Sequence, residues 1–258
     1  MPDSNGVFVW YELMTTDAEA AIGFYREVVG WGARDAGQPG MAYTLLLAGE
    51  LPVAGAMTMP EDASCPGERR PTWIGDIAVE DVDAMAARVV EAGGTILRQP
   101  ADIPGIGRFA VAADPEGTVF VLFRGTDAMP PPPFAMDKPG HPAWHELVAA
   151  DAEASFAFYS RLFGWTKAEA HDMGPMGVYQ LFAAHGVTIG GMMTRPPGMP
   201  AFPWTFYFRV DSVTAAAERL QARGGTVLNG PHEVPGGNWI LQARDPQGAS
   251  FALISQGR

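Results

Sequence analysis

Two carboxylates interrupt apolar runs: Glu12 in Trp10-Tyr11-Glu12-Leu13 and Glu146 in Trp144-His145-Glu146-Leu147. A carboxylate in an apolar strand requires a partner or a wet cavity, so both are candidates for acid–base or ligand-binding work. Trp10 and Trp144 beside them read either as pocket walls, flat apolar rings with one polar handle, or as plain core. The five histidines (His141, His145, His171, His185, His232) form no H-x-x-x-H or H-x-H pair, so local metal spacing is absent. Only His145 adjoins a candidate site, and strand alternation turns it to the face opposite Glu146 unless a bulge intervenes. Gly190-Gly191-Met192-Met193 joins backbone freedom to flexible thioethers. It suits either an adaptable apolar pocket rim or packing against the other half of the chain, and Gly198 to Pro203 reads the same two ways.

These residues are positioned by a duplicated architecture. Trp10, Glu12, Asp17, Phe24-Tyr25 and Gly30-Trp31 recur as Trp144, Glu146, Asp151, Phe158-Tyr159 and Gly164-Trp165 at a constant offset of 144 − 10, or 134, positions. Each copy reads as a strand, an acidic helix start, an amphipathic helix and a glycine stop. Thr16 with Glu19 fits a capping box, and Asp151 can cap the second copy. Tyr43 to Ala48 and Leu51 to Met59 form a hairpin, after which the pattern restarts. Trp73 to Val79 is a strand and Val82 to Ala92 a helix, then come strands from Thr95, Arg108 and Thr118. Asp114-Pro115-Glu116-Gly117 is the turn before the last of these, and Asp245-Pro246-Gln247-Gly248 repeats it. Pro130 to Pro133 lie in a semi-rigid connector. The expected organisation is a first domain over 1–126, a linker over 127–141 and a second domain over 142–258.

The composition limits the partners. With a net charge of −12 and no Lys/Arg run, the 258-residue chain offers no phosphate-binding stripe, which argues against nucleic acid. No apolar run approaches a membrane span and no signal pattern opens the chain, so a cytoplasmic protein is expected. A single cysteine, Cys65, excludes an intramolecular disulfide and a cysteine-based zinc cage, and it falls in a Pro/Gly-rich loop. Monomer and homodimer are equally consistent with the pattern.

Taken together, the helix motif D-x-x-x-x-x-x-F-Y, the G-W pair, G-G-T and D-P-x-G resemble the vicinal oxygen chelate superfamily of glyoxalase, bleomycin-resistance and dioxygenase proteins. The resemblance covers nearly the whole chain. It implies an α+β fold of two tandem domains, each of two βαβββ modules whose mixed sheets curl into a cup-like incomplete barrel. It also implies metal-ligand positions, occupied here by Trp10, Ile74 and Val121 in one half and by Trp144, Thr205 and Ala252 in the other. None is a good ligand for a divalent ion.

If those positions face the cup, alternation turns Glu12 and Asp76 inward in the first half, and Glu146, Tyr207 and Arg209 in the second. Glu12 and Asp76 could share a proton or a cation, or stand apart bonded to backbone or water. Glu146 and Arg209 read either as a structural ion pair or as a ligand site. The expected function is binding of a small, largely apolar or aromatic molecule by Trp144, Arg209, Met192, Trp10, Glu12 and Asp76, without a cofactor. It would work by sequestration or by metal-free acid–base chemistry through Glu146 and Tyr207. The alternative is a divalent-metal-dependent lyase or dioxygenase with unusual ligands.

Overall fold

The computed structural model describes residues 5–37, 42–59, 70–126, 131–199 and 202–258. Four repeats follow one another. The first is β1 (Phe8–Thr15), α1 (Ala18–Val28), β2 (Gly32–Asp35), β3 (Tyr43–Ala48) and β4 (Leu51–Thr58). The second is β5 (Thr72–Ala78), α2 (Val82–Glu91), β6 (Thr95–Ile103), β7 (Gly107–Ala113) and β8 (Val119–Gly125). The third is β9 (Pro142–Ala149), α3 (Ala152–Phe163), β10 (Thr166–Asp172), β11 (Val178–Ala184) and β12 (Val187–Thr194). The fourth is β13 (Thr205–Arg209), α4 (Val213–Ala222), β14 (Thr226–Glu233), β15 (Trp239–Arg244) and β16 (Ser250–Ser255). No helix among the described residues is long and apolar enough to cross a membrane.

The strands form two mixed eight-stranded sheets, β2-β3-β4-β1-β5-β8-β7-β6 and β10-β11-β12-β9-β13-β16-β15-β14. With four α-helices among the described residues this is an α+β fold of four βαβββ repeats. Parallel pairing of β1 with β4 sets Glu12 beside Gly55, and that of β9 with β12 sets Glu146 beside Gly191. The short strand β2 is mostly exposed and carries no alternating apolar pattern, so its sequence does not announce it. At α1 the capping residue is Asp17 rather than Thr16: Asp17 Oδ1 accepts from Ala20 N at 3.0 Å, while Thr16 Oγ1 donates to Gln247. Gly164 ends α3 in the left-handed region, at φ 72°.

The chain divides into two compact units, and each draws one repeat from each half of the sequence. One unit holds the second and third repeats, with residues 1–9, 74–132 and 145–204; the other holds the first and fourth, with residues 10–73, 133–144 and 205–258. In the first unit Tyr159 of α3 donates to Asp114 Oδ2 at 3.1 Å, and Trp204 Nε1 donates to the Tyr159 hydroxyl. Asp114 Oδ1 accepts the backbone N–H of Glu116 and of Thr118, closing the D-P-x-G turn. Trp165 Nε1 reaches Gly6 O at 2.6 Å. The second unit repeats the arrangement. Tyr25 donates to Asp245 Oδ2, Trp73 Nε1 to Tyr25, and Trp31 Nε1 to Gly140 O. His141, at the end of the connector, is buried in this unit and donates Nδ1–H to Pro133 O at 2.7 Å. Pro130 and Cys65 lie outside the described residues.

The F-Y, G-W and D-P-x-G motifs therefore build the joints within each unit. Burial of the ring pushes both Tyr25 and Tyr159 well above the ordinary tyrosine range, and the adjacent aspartate charge adds to the effect. Desolvation likewise raises Asp114 and Asp245, against the hydrogen bonds that lower them.

Candidate functional site

The first candidate carboxylate sits in a relay of three side chains on β1 and β3. Trp10 Nε1 donates to the Tyr43 hydroxyl at 2.7 Å, and that hydroxyl donates to Glu12 Oε1 at 2.8 Å. Glycine makes the approach possible. A Cβ on Gly55, which faces Glu12 across β4, would lie 1.9 Å from the Tyr43 hydroxyl. Part of the Glu12 surface meets solvent, but its carboxyl is enclosed by protein. Desolvation raises its pKa above the usual glutamate value, and the Tyr43 hydrogen bond offsets this only in part.

The other unit carries the same device. Tyr179 on β11 donates to Glu146 Oε2 at 3.1 Å. Its ring lies over Gly191, where a Cβ would come within 2.3 Å of ring carbons. Across β12 the register pairs Met192 with Leu147, and both are fully buried, whereas Met193 pairs with Val148 and Tyr179. By alternation Met193, not Met192, shares the face of Glu146. His145 turns to the opposite face as expected, with no bulge in its register. It stacks on Phe8 with centroids 4.2 Å apart and donates Nδ1–H to Ile189 O at 2.6 Å.

The remaining candidates have partners of their own. Tyr207 on β13 is buried, and its hydroxyl accepts from Gln242 Nε2 at 3.0 Å; Gln242 Oε1 in turn accepts from Asn229 at 3.3 Å. Arg209 Nη1 donates to Asn238 Oδ1 at 3.4 Å. Asp76 is buried on β5, in register with Val121. Trp144 on β9 is half-buried. Within one unit the fold thus brings Trp10 and Glu12 together through Tyr43. Of the expected catalytic residues, Glu146 accepts from Tyr179 and Tyr207 accepts from Gln242. Tyr43 and Tyr179 hold the same place in the first and third repeats, and sequence reasoning gave neither a role. The available signal was a tyrosine on the strand facing Gly-x-Met in both copies.

Comparison with known proteins places this geometry. The model of the Glyoxalase/Bleomycin resistance protein/Dioxygenase superfamily matches residues 138–253, and that of the Glyoxalase-like domain matches residues 10–123. "Putative glyoxylase CFP32" of Mycobacterium tuberculosis is 32% identical over 95% of this chain and 93% of its own. The chain belongs to the glyoxalase/bleomycin resistance/dioxygenase superfamily. "Anthracycline biosynthesis protein DnrV" of Streptomyces peucetius, 30% identical over 96% of this chain and 93% of its own, is a further relative. Among solved structures, the Mn(II)-bound glyoxalase from Novosphingobium aromaticivorans shares the fold with a TM-score of 0.64. It is 18% identical, over 99% of this chain and 83% of that one.

Metal use in this superfamily raises the question of whether these residues fit a divalent ion. Indole, aliphatic and methyl side chains at Trp10, Ile74, Val121, Trp144 and Ala252 offer no ligand lone pair, and Thr205 offers only a neutral hydroxyl. Among the described residues no group of three or more His, Cys, Asp or Glu is placed to hold a metal ion. The donor set at these positions does not fit the family's metal.

Proposed function

We propose that this glyoxalase-like protein binds a small, largely apolar or aromatic molecule on the strand faces that carry Glu12 and Glu146, without a metal. The observation that carries the reading is the repeated tyrosine–carboxylate pair seated over a glycine, beside a tryptophan at the family's ligand position. A few convergent polar groups among apolar walls are the usual make-up of a small-molecule site. The names of the Streptomyces relatives, anthracycline biosynthesis proteins, support the aromatic class.

The chemistry available to the pairs is proton transfer. A glutamate whose pKa is raised by burial holds its proton closer to neutral pH, and a tyrosine hydroxyl fixes which oxygen carries it. Glu12 thereby suits a proton donor to a bound carbonyl or hydroxyl. The same groups also hold an unreactive ligand by hydrogen bonds, which is sequestration.

Thermal-shift and native mass spectrometry with mono- and polycyclic aromatic compounds test the reading, with metal content measured on the same untagged protein. A ligand-dependent rise in Tm is expected, and Gly191→Ala or Tyr179→Phe should diminish it for a ligand of the second pair. One tightly held metal equivalent that Glu12→Ala or Glu146→Ala removes would overturn the proposal and favour a metal-dependent lyase.

A further inference from the structure

A cavity of about 270 Å³ lies in the unit built from the second and third repeats, lined by Glu116, Thr118, Val148, Ala150, Arg195 and Phe202. Comparison with the other unit shows how it arises. Arg195 N donates to Ala149 O, and Met59 N donates to Thr15 O, so Arg195 occupies the position that Met59 holds in the first repeat. There, Thr15 and Thr16 at the end of β1 direct their hydroxyls to Gln247 Oε1, at 2.7 and 2.5 Å. At the end of β9 the corresponding residues are Ala149 and Ala150, which have neither hydroxyl nor comparable bulk. Two threonines exchanged for alanines leave room, and a methionine exchanged for arginine puts a cation at the wall.

The polar groups of the cavity are unevenly engaged. Glu116, in the place of Gln247, accepts Ala150 N at 2.6 Å, Asp151 N at 3.1 Å and Ser155 Oγ at 3.4 Å. Its acceptor capacity is largely taken up by the start of α3. Arg195 has no carboxylate within ion-pair distance among the described residues. A guanidinium without an anion among the described residues, beside the Phe202 ring and the Val148 side chain in the cavity wall, matches a planar carboxylate on an apolar body. The volume is below that of a drug-sized pocket, which suits a single ring or a short branched chain. The negative charge of Glu116 disfavours a dianion.

We propose that this cavity is a binding site for a small aromatic or branched monocarboxylate, with Arg195 receiving the carboxylate and Phe202 and Val148 the apolar body. Its lining includes none of Trp10, Glu12, Tyr43, Glu146 and Tyr179, and the proposal does not require those residues to bind a ligand.

The test uses 4-fluorobenzoate, followed by fluorine NMR and calorimetry on the full-length protein, with 4-fluorobenzamide as the neutral control. Saturable binding of the acid is expected, with the amide weaker by roughly tenfold or more, the scale of one lost charge-assisted contact. Arg195→Met, which installs the residue of the first repeat, should weaken the acid by a similar factor. Ala150→Thr should block it by filling the space. Thermal midpoints of the variants establish that they fold, and Ala150→Thr carries the test should Arg195→Met fail to. Equal affinity for acid and amide, undiminished binding in both Arg195→Met and Ala150→Thr, or no saturable binding of the acid at millimolar concentration would overturn the proposal.

Discussion

His145 shows how burial, rather than proximity to a site, sets what a residue does. Its imidazole is 1% exposed, and desolvation lowers its pKa from 6.5 to about 3, against the hydrogen bond to Ile189 O that raises it. The unfolded chain takes up this proton first as pH falls below about 6.5. Stability is therefore complete above that pH and declines through the window from about 6.5 down to about 3, by roughly 5 kcal/mol over its full width. Glu12, Asp114 and Asp245 act in the opposite sense. Their folded pKa values are raised, so their contribution falls as pH rises from the ordinary carboxylate range. The difference between wild type and His145→Gln isolates the histidine. Urea unfolding at pH 8, 6.5 and 5 should show a steeper loss toward acid in wild type than in the variant, and superimposable slopes would refute the assignment. At this scale Glu12 and Glu146 were legible, because a charge inside an apolar strand is conspicuous. Tyr43 and Tyr179 were not, because a tyrosine in a half-buried strand looks like ordinary packing until its hydroxyl partner is placed. Met192 was misjudged because adjacent methionines differ only in which face they take, and only the register beside Leu147 decides it.

At the scale of elements, the tyrosine of each F-Y pair is a three-way joint between a helix, a strand start and a D-P-x-G turn. Tyr159 donates to Asp114 and accepts from Trp204; Tyr25 donates to Asp245 and accepts from Trp73. Replacing the hydroxyl by hydrogen withdraws one of the donors to a largely buried carboxylate and leaves an indole N–H without its acceptor. Tyr159→Phe and Tyr25→Phe should each cost about 1–3 kcal/mol, the usual penalty for unsatisfied buried groups. Denaturant unfolding measures it, and a loss near zero at both positions would mean that water or a shifted rotamer fills the role. Most helices, long strands and the two D-P-x-G turns could be read from periodicity and from Gly/Pro punctuation. The purpose of those motifs could not, since Asp114 and Tyr159 are 45 positions apart and Tyr25 and Asp245 are 220 apart. Local pattern holds no information at that range.

At the scale of the molecule, the family models follow the two sequence halves, over 10–123 and 138–253, while each compact unit takes a repeat from both. Internal similarity reveals how the chain was duplicated but not which copies pack together, because all four repeats present similar apolar helix faces. The consequence is thermodynamic. A fragment ending at residue 126 keeps α1 but lacks Asp245 for Tyr25, Gly140 O for Trp31 and Gln247 for the start of α1. A fragment beginning at residue 127 lacks Asp114 for Tyr159, Gly6 O for Trp165 and Glu116 for the start of α3. Either fragment also exposes the aromatic rings that its missing partner covers, Phe24 against Phe251 in one case and Phe158 against Phe120 in the other. Fragments 1–126 and 127–258 made separately should therefore self-associate or remain poorly folded, since exposed rings of that size favour any contact that covers them. Produced together they should assemble into a one-to-one complex that unfolds as a unit. Size-exclusion chromatography with light scattering and circular dichroism decides the matter. A 1–126 fragment that is monomeric and as stable as the intact chain would show that the sequence halves, rather than the packed units, are the cooperative elements of this protein.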